Sequence, residues 1–286
     1  MKLSCIQNYA QLANFIAELN IQKQYHIGHC GENVQEIEQT LRTDFSCEAF
    51  ILAIDKQEIV GAIGLDIDET GNGAEVWGPF IKNNGGFEQI LAVIWQELLK
   101  HHNDIKNLSF FINEENIIGQ NFMQMLSAKC TGKYQILLLK KENFQVENLM
   151  NSTLFNNHYF EAFAELHHKA FPNTYYNADA IVNRLNAENE LIVLANDDYK
   201  IKGYVYIEVD DEHREASIEY MAIAPQFQGK GLGTELLKIT MNRIFNEHQI
   251  DEVRLCVDSD NSQAINLYIA AGFEVKHMLS GFCLGR

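Results

Sequence analysis

The residue types best suited to chemistry gather between positions 217 and 273. The stretch EYMAIAPQFQGKGLGTELL (219–237) reads as a strand ending at Pro225, a turn crowded with Gly229, Gly231 and Gly233, and then a helix. Glycine supplies positive φ and lets a backbone come close to a ligand. A helix start adds unpaired N–H groups and the positive end of a dipole. Together these would cradle a phosphate or pyrophosphate. Two familiar phosphate loops fit poorly. The pattern G-x-x-x-x-G-K-[ST] needs a glycine where Ala224 stands and a hydroxyl where Gly231 stands. The dinucleotide pattern G-x-G-x-x-G puts Thr234 where its last glycine or alanine belongs, after segments that read as an antiparallel meander. Only Asp258, at about the right distance downstream, speaks for it.

The hexapeptide Gln228-Gly229-Lys230-Gly231-Leu232-Gly233 resembles instead the Q/R-x-x-G-x-G/A signature of the GNAT N-acetyltransferases, whose loop binds the pyrophosphate of coenzyme A. MAIAP before it looks like that family's strand-then-proline entry, and Thr234-Glu235-Leu236-Leu237 like the start of its phosphate-facing helix. Downstream, Asn261-Ser262-Gln263-Ala264-Ile265-Asn266-Leu267-Tyr268 running on to Gly272-Phe273 resembles the second signature, N-x-x-A-x-x-x-Y-x-x-x-G-F. The resemblance is firm over about 190–275, extends back to about 150, and is faint in the N-terminal half. It implies acetyl-CoA as co-substrate, held by Gln228, Gly229, Lys230, Gly231, Leu232, Gly233 and Thr234, with Met221, Ala222 and Ile223 on the adjoining strand. Asn261 reads as a plain cap for the helix 262–271, and the resemblance also places it near the pantetheine arm.

Acetyl transfer to an amine needs a neutral amine, a polarised thioester carbonyl and a proton for the departing thiolate. An alkyl amine with a pKa near 10.4 arrives protonated at neutral pH, so a carboxylate, direct or through a water, must take that proton. Glu219 is the candidate base. Family members vary by two residues in this register, and Ser217 stands at the other place. Strand alternation predicts Ser217, Glu219 and Met221 on one face and Ile218, Tyr220 and Ala222 on the other. The resemblance gives Tyr268 the role of protonating the thiolate; the plainer reading is a packed tyrosine four residues after Ala264. A backbone N–H of 221–223 would polarise the carbonyl.

The elements that must position these residues occur twice. FILAIDKQEIVGAIGLDID (50–68) parallels LIVLANDDYKIKGYVYIEVD (191–210), AEVWGPFI (74–81) parallels ASIEYMAI (216–223), and LSFFINEEN (108–116) parallels VRLCVDSDN (253–261). Each copy begins with two helices, 8–20 and 33–43, then 157–170 and 177–187, and closes on an apolar strand, 134–141 and 273–285. The predicted class is α+β: two GNAT-like domains, each a mixed, mostly antiparallel central sheet flanked by helices. We place a degenerate domain at 1–145 and a catalytic domain at 146–286. In the first copy the loop becomes Lys82-Asn83-Asn84-Gly85-Gly86-Phe87-Glu88-Gln89, without the signature and with an acidic side chain. Phe122 stands near the tyrosine's place, and Asn116 is the counterpart of Asn261.

Composition narrows the partners. With 22 Lys and Arg against 39 Asp and Glu, the net charge is −17, which argues against nucleic acid and anionic membrane surfaces and for a cationic acceptor. No apolar run of membrane-spanning length occurs and the N-terminus does not read as a secretory signal, so a cytoplasmic location is expected. The six cysteines are scattered without C-x-x-C spacing, as in a reducing compartment. His26, His29 and Cys30 form the densest ligand-like cluster, but Gly28 and Gly31 read as a surface loop and no metal is expected. The pairs His101–His102 and His167–His168 read as helix-end residues. The leading expectation is an acetyl-CoA-dependent N-acetyltransferase acting on a primary amine by direct attack in a ternary complex. A non-catalytic acyl-CoA-binding or regulatory module is the alternative, and monomer and homodimer both stay open.

Overall fold

The computed structural model describes residues 1–286 apart from 69–70, 83–85, 146–152, 173, 175 and 196–199. The chain begins with β1 (Lys2–Ser4), α1 (Tyr9–Asn20), α2 (Val34–Thr43), β2 (Phe50–Asp55), β3 (Glu58–Ile67), β4 (Gly73–Ile81), α3 (Phe87–His101), β5 (Asn107–Asn113) and α4 (Ile117–Leu126). Then come β6 (Lys129–Lys140), β7 (Thr153–Leu154), α5 (Phe160–Ala170), α6 (Ala178–Arg184), β8 (Asn189–Ala195), β9 (Ile201–Asp210) and β10 (Glu215–Ile223). It ends with α7 (Leu232–Glu247), β11 (Glu252–Asp258), α8 (Ser262–Ala270) and β12 (Glu274–Gly285).

The repeat reaches down to the helix caps. Asn33 and Asn177 open α2 and α6, and Asn116 and Asn261 open α4 and α8, each side chain accepting a backbone N–H of the first turn. The third helix of each copy starts differently: α3 at Gly86 and α7 at Gly231, both left-handed and both without a side-chain cap. Asparagine supplies an acceptor for the orphan N–H groups; glycine leaves them available.

Two compact units result, Met1–Tyr134 with His277–Arg286, and Gln135–Lys276. The expected division at 145 borders residues 146–152, which lie outside the described ones. The units are not contiguous in sequence, because the closing strand of each copy is exchanged. Residues 279–285 of β12 run antiparallel to β5 in the first unit, and β6 neighbours β11 in the second. In the first unit the strand order is β1-β2-β3-β4-β5-β12, and in the second β6-β11-β10-β9-β8-β7. The pairs β4/β5 and β10/β11 are parallel, bridged by the crossover helices α3 and α7; β1/β2, β2/β3, β3/β4, β5/β12, β7/β8, β8/β9 and β9/β10 are antiparallel. This is the mixed, mostly antiparallel sheet that the sequence predicts.

The second unit buries both faces of its sheet. On β9, Val205, Ile207 and Val209 join a core with Leu236, Leu237, Ile244 and Phe245 of α7, while Tyr204 and Tyr206 join one with Phe163 of α5 and Ile181 of α6. On β10 the simple alternation fails. Ala216 and Ile218 lie with α7, yet Tyr220 and Ala222, of the same parity, lie with α5 and α6. Ile218 pairs with Ile207 and Tyr220 with Tyr206, leaving Glu219 as the extra residue of a β-bulge. The face assignment predicted for Ser217–Ala222 is therefore corrected: the bulge reverses it at Glu219. No helix among the described residues is long and apolar enough to cross a membrane.

Candidate active site

Strands β10 and β11 pair only from Glu215–Ile218 to Glu252–Leu255, although β10 runs on to Ile223. Beyond the paired stretch lies a cavity of about 530 Å³. Met221, Ala222 and Ile223 form its strand wall; Gln228, Gly229, Gly231, Leu232, Gly233 and Thr234 form its loop wall; Asn261 and Tyr268 close it from α8. The structure thus brings together most of the residues singled out in sequence. Lys230 and Glu219 are not part of the wall. Ala170, Phe171, Phe227, Gln263, Ala264, Asn266 and Leu267 are, and only Ala264 among them carried a motif signal. Phe171 ends α5, and nothing in the local pattern distinguishes it from a core aromatic.

The loop earns its glycines. Gly229 and Gly231 sit at φ +71° and +79°, and a Cβ built on either meets no heavy atom within 4 Å. The backbone therefore needs glycine for its conformation and faces open space there. Around it the loop is braced by its own side chains. Gln228 donates through Nε2 to the Ile223 carbonyl at 2.9 Å, and Lys230 donates through Nζ to the Gln226 carbonyl at 2.9 Å while lying over the Phe227 ring. With no side chain capping α7, its first N–H groups suit an anion.

Tyr268 is 8% exposed, and its hydroxyl lies 3.8 Å from Met221 Sδ. Burial pushes its pKa up to about 12, so the phenol is a proton donor throughout the neutral range. Glu219, half-buried in the bulge, has its carboxyl raised above the ordinary range. Burial is the main cause; a hydrogen bond from Ser217 opposes it, the Glu208 charge adds to it, and Arg184 counters it. Glu208 itself accepts from Arg184 Nη2 at 3.0 Å and from the Tyr206 hydroxyl at 2.8 Å.

Two histidine readings change. His167 is not a bare helix-end residue but 2% exposed: its Nε2–H donates to the Tyr176 carbonyl at 2.8 Å, so Nδ1 accepts from the Tyr204 hydroxyl at 2.6 Å. Burial lowers its pKa. Thr174 and Tyr220 share a hydroxyl–hydroxyl hydrogen bond at 2.5 Å, so Thr174 and Tyr176, both following α5, are each tied by one bond to the residues packed around β9 and β10. In the first unit, His26 and Cys30 are buried rather than on a surface loop, 5% and 6% exposed. His26 groups with Glu32 and His277, not with Cys30. The two imidazoles stack at 3.6 Å with 4° between planes. Ring-nitrogen lone pairs lie in the ring plane, so two parallel stacked rings do not converge on one metal ion.

The first unit's counterpart of the glycine loop contains residues 83–85, outside the described ones. Asn116 caps α4 through Gly119 N–H, as Asn261 caps α8 through Ala264 N–H. Phe122 is a core residue, edge-on to Trp95 at 5.2 Å and Phe110 at 6.1 Å.

Residues 155–273 match the family described as Acetyltransferase (GNAT) family. A spermidine N(1)-acetyltransferase of Escherichia coli (strain K12) is 30% identical over 118 residues, 41% of this chain and 57% of that protein, so the chain spans little more than half the length of this relative. A mycothiol acetyltransferase of Streptomyces griseus subsp. griseus is 32% identical over 80 residues, 28% of this chain and 26% of that protein. Among solved structures, a GCN5-related N-acetyltransferase from Sphaerobacter thermophilus has a TM-score of 0.75 at 13% identity, covering 99% of this chain and 95% of that one. A tandem GNAT protein from the clavulanic acid biosynthesis pathway has a TM-score of 0.68 at 13% identity, covering 99% and 98%. At such identities the structures establish the fold alone, two GNAT-like domains in one chain. The glycine loop and the second signature both fall within residues 155–273, the stretch of the chain that matches the GNAT acetyltransferase family.

Proposed function

We propose that the second repeat, 146–286 in sequence, transfers the acetyl group of acetyl-CoA to a primary amine of a cationic acceptor, by direct attack in a ternary complex. The observation that carries this is one cavity walled by both the positive-φ glycine loop and Tyr268. The stretch shared with a spermidine acetyltransferase and the net charge of −17 support a cationic amine. In this reading the pyrophosphate of acetyl-CoA is held by the N–H groups of Gln228–Thr234, and its arm passes Asn261 toward Met221–Ile223. The amine reaches the site as an ammonium ion. Glu219, with its raised pKa and its place outside the cavity wall, takes the proton through a water. The amine nitrogen then bonds to the carbonyl carbon, and the oxyanion is met by a backbone N–H of 221–223. Collapse breaks the C–S bond and Tyr268 gives its proton to the coenzyme A thiolate; the second amine proton, shed as the amide forms, passes back to the Tyr268 phenolate directly or through water.

The test is a panel of amines (polyamines, aminoglycosides, amino acids, peptide N-termini) incubated with acetyl-CoA while free thiol is followed. Thiol release that depends on a polyamine or another cationic amine supports the reading. Saturable coenzyme A binding without amine-dependent release would mark the chain as a non-catalytic acyl-CoA-binding module.

A further inference from the structure

The two repeats differ where their parallel strands part. In the second unit β10 and β11 separate after Ile218 and Leu255, and the freed end of β10 walls the cavity. In the first unit β4 and β5 separate earlier, after Glu75 and Ser109, yet β5 continues to Asn113. One edge of that continuation is taken by β12. The other edge is taken by the connection between α1 and α2. Gly28 N–H donates to the Phe111 carbonyl at 2.7 Å, Asn113 N–H donates to the His26 carbonyl at 3.2 Å, and Ile27 bridges Ile112 in antiparallel sense. His29 reaches the strand across the gap, its Nδ1 lying 3.0 Å from Glu75 Oε2. Among the described residues of the second unit, the α5–α6 connection makes no such bridge to β11.

We propose that the acyl-CoA groove of the first unit is closed from within by its own residues His26–Gly28, so that this unit takes no coenzyme A. The inference rests on the reading that the matching gap in the second unit receives acyl-CoA. The closing segment is built in rather than loosely lodged. Asn20, fully buried, donates through Nδ2 to the carbonyls of Cys30 at 2.8 Å and Gly31 at 2.9 Å, and accepts at Oδ1 from Ile27 N–H at 2.8 Å. His26 Nδ1–H donates to the Asn20 carbonyl at 2.7 Å, and the Asn116 amide donates to the His26 carbonyl at 3.3 Å. Buried backbone groups persist only when satisfied in this way. The approach also demands glycine: a Cβ on Gly28 would stand 2.3 Å from Phe111 Cδ1 and 2.7 Å from Leu279 Cδ1. Hydrogen-bonded to β5 and joined through His29 to Glu75 of β4, the segment lies in the gap between the two strands, the counterpart of the gap through which the pantetheine arm is proposed to pass.

Residue-resolved amide hydrogen exchange on the full chain, with and without saturating coenzyme A, tests this. The amides of Ile27, Gly28 and Asn113 should be slowed by about 100-fold or more relative to an open loop in the ligand-free protein, and unchanged by coenzyme A. Calorimetry on the same sample should give one coenzyme A per chain. Gly28→Val should release protection at Asn113 while leaving coenzyme A affinity as in wild type. Fast exchange at Ile27 and Gly28 in the wild type would overturn the proposal, as would a second bound coenzyme A that alters exchange at Asn113. A protein that bound no coenzyme A at all yet kept these amides protected would refute the acyltransferase reading and leave the closed edge standing.

Discussion

Gly231→Val separates what the glycine loop does for the fold from what it does for the ligand. A Cβ at Gly231 has no heavy atom within 4 Å, so valine meets no steric wall. Its cost is conformational. At φ +79°, an L-residue loses about 1–2 kcal/mol, and a β-branched one sits at or above the top of that range. Against a typical stability of about 5–15 kcal/mol the fold survives. Ligand binding has no such margin. The new side chain stands in the open space proposed for the pyrophosphate, and relaxation toward negative φ turns the neighbouring N–H groups aside. Losing two charge-assisted hydrogen bonds at about 1.5–3 kcal/mol each weakens coenzyme A binding by roughly 10²–10⁴-fold. Calorimetric titration with coenzyme A, beside a thermal melt of the same preparation, reads both quantities. An unchanged Kd in a folded variant would refute the loop assignment.

Other perturbations probe other parts of the site. Because Glu219 titrates above the ordinary glutamate value of 4.5, the acid limb of the kcat/KM pH profile should lie above that value, and Glu219→Gln should lose the limb; an unaltered profile in the variant would remove Glu219 as base. His167 is held neutral by burial, with its folded pKa below the unfolded value near 6.5. The unfolded chain therefore binds the extra proton first, and stability should fall as pH drops below about 6.5. Urea denaturation from pH 8 to 5 should show a smaller pH dependence in His167→Phe than in wild type, and equal slopes would contradict this. Asn261→Ala removes the α8 cap and should cost about 0.5–2 kcal/mol by urea denaturation; no loss would mean that the cap is dispensable.

What was legible in the sequence is what local chemistry dictates. Gly229 and Gly231 announce positive φ, Asn116 and Asn261 announce helix starts, and the repeat announces two units of like topology. The remainder depends on partners distant in the chain. The bulge at Glu219 exists because Ile218 pairs with Ile207 and Tyr220 with Tyr206, a register that no alternation within β10 reveals. The exchange of β6 and β12 is equally hidden, since either apolar strand suits either sheet edge. Asn20 looks like an ordinary polar residue at a helix end, yet it anchors the segment that lies against β5. Buried His26 and His167 gave no signal either, because their burial comes from β12 and β9 rather than from neighbouring residues.

Tyr268→Phe tests the proposed chemistry most directly. The substitution keeps the ring, its edge-on contact with Phe273 and the cavity shape, and removes only the hydroxyl. If that hydroxyl protonates the leaving thiolate, kcat for the best amine should fall by about 10²–10⁴-fold. The Kd for acetyl-CoA should stay close to wild type, because the donor acts in the transition state. A wild-type kcat in the variant would contradict the account and leave Tyr268 as a packed tyrosine of the α8 core.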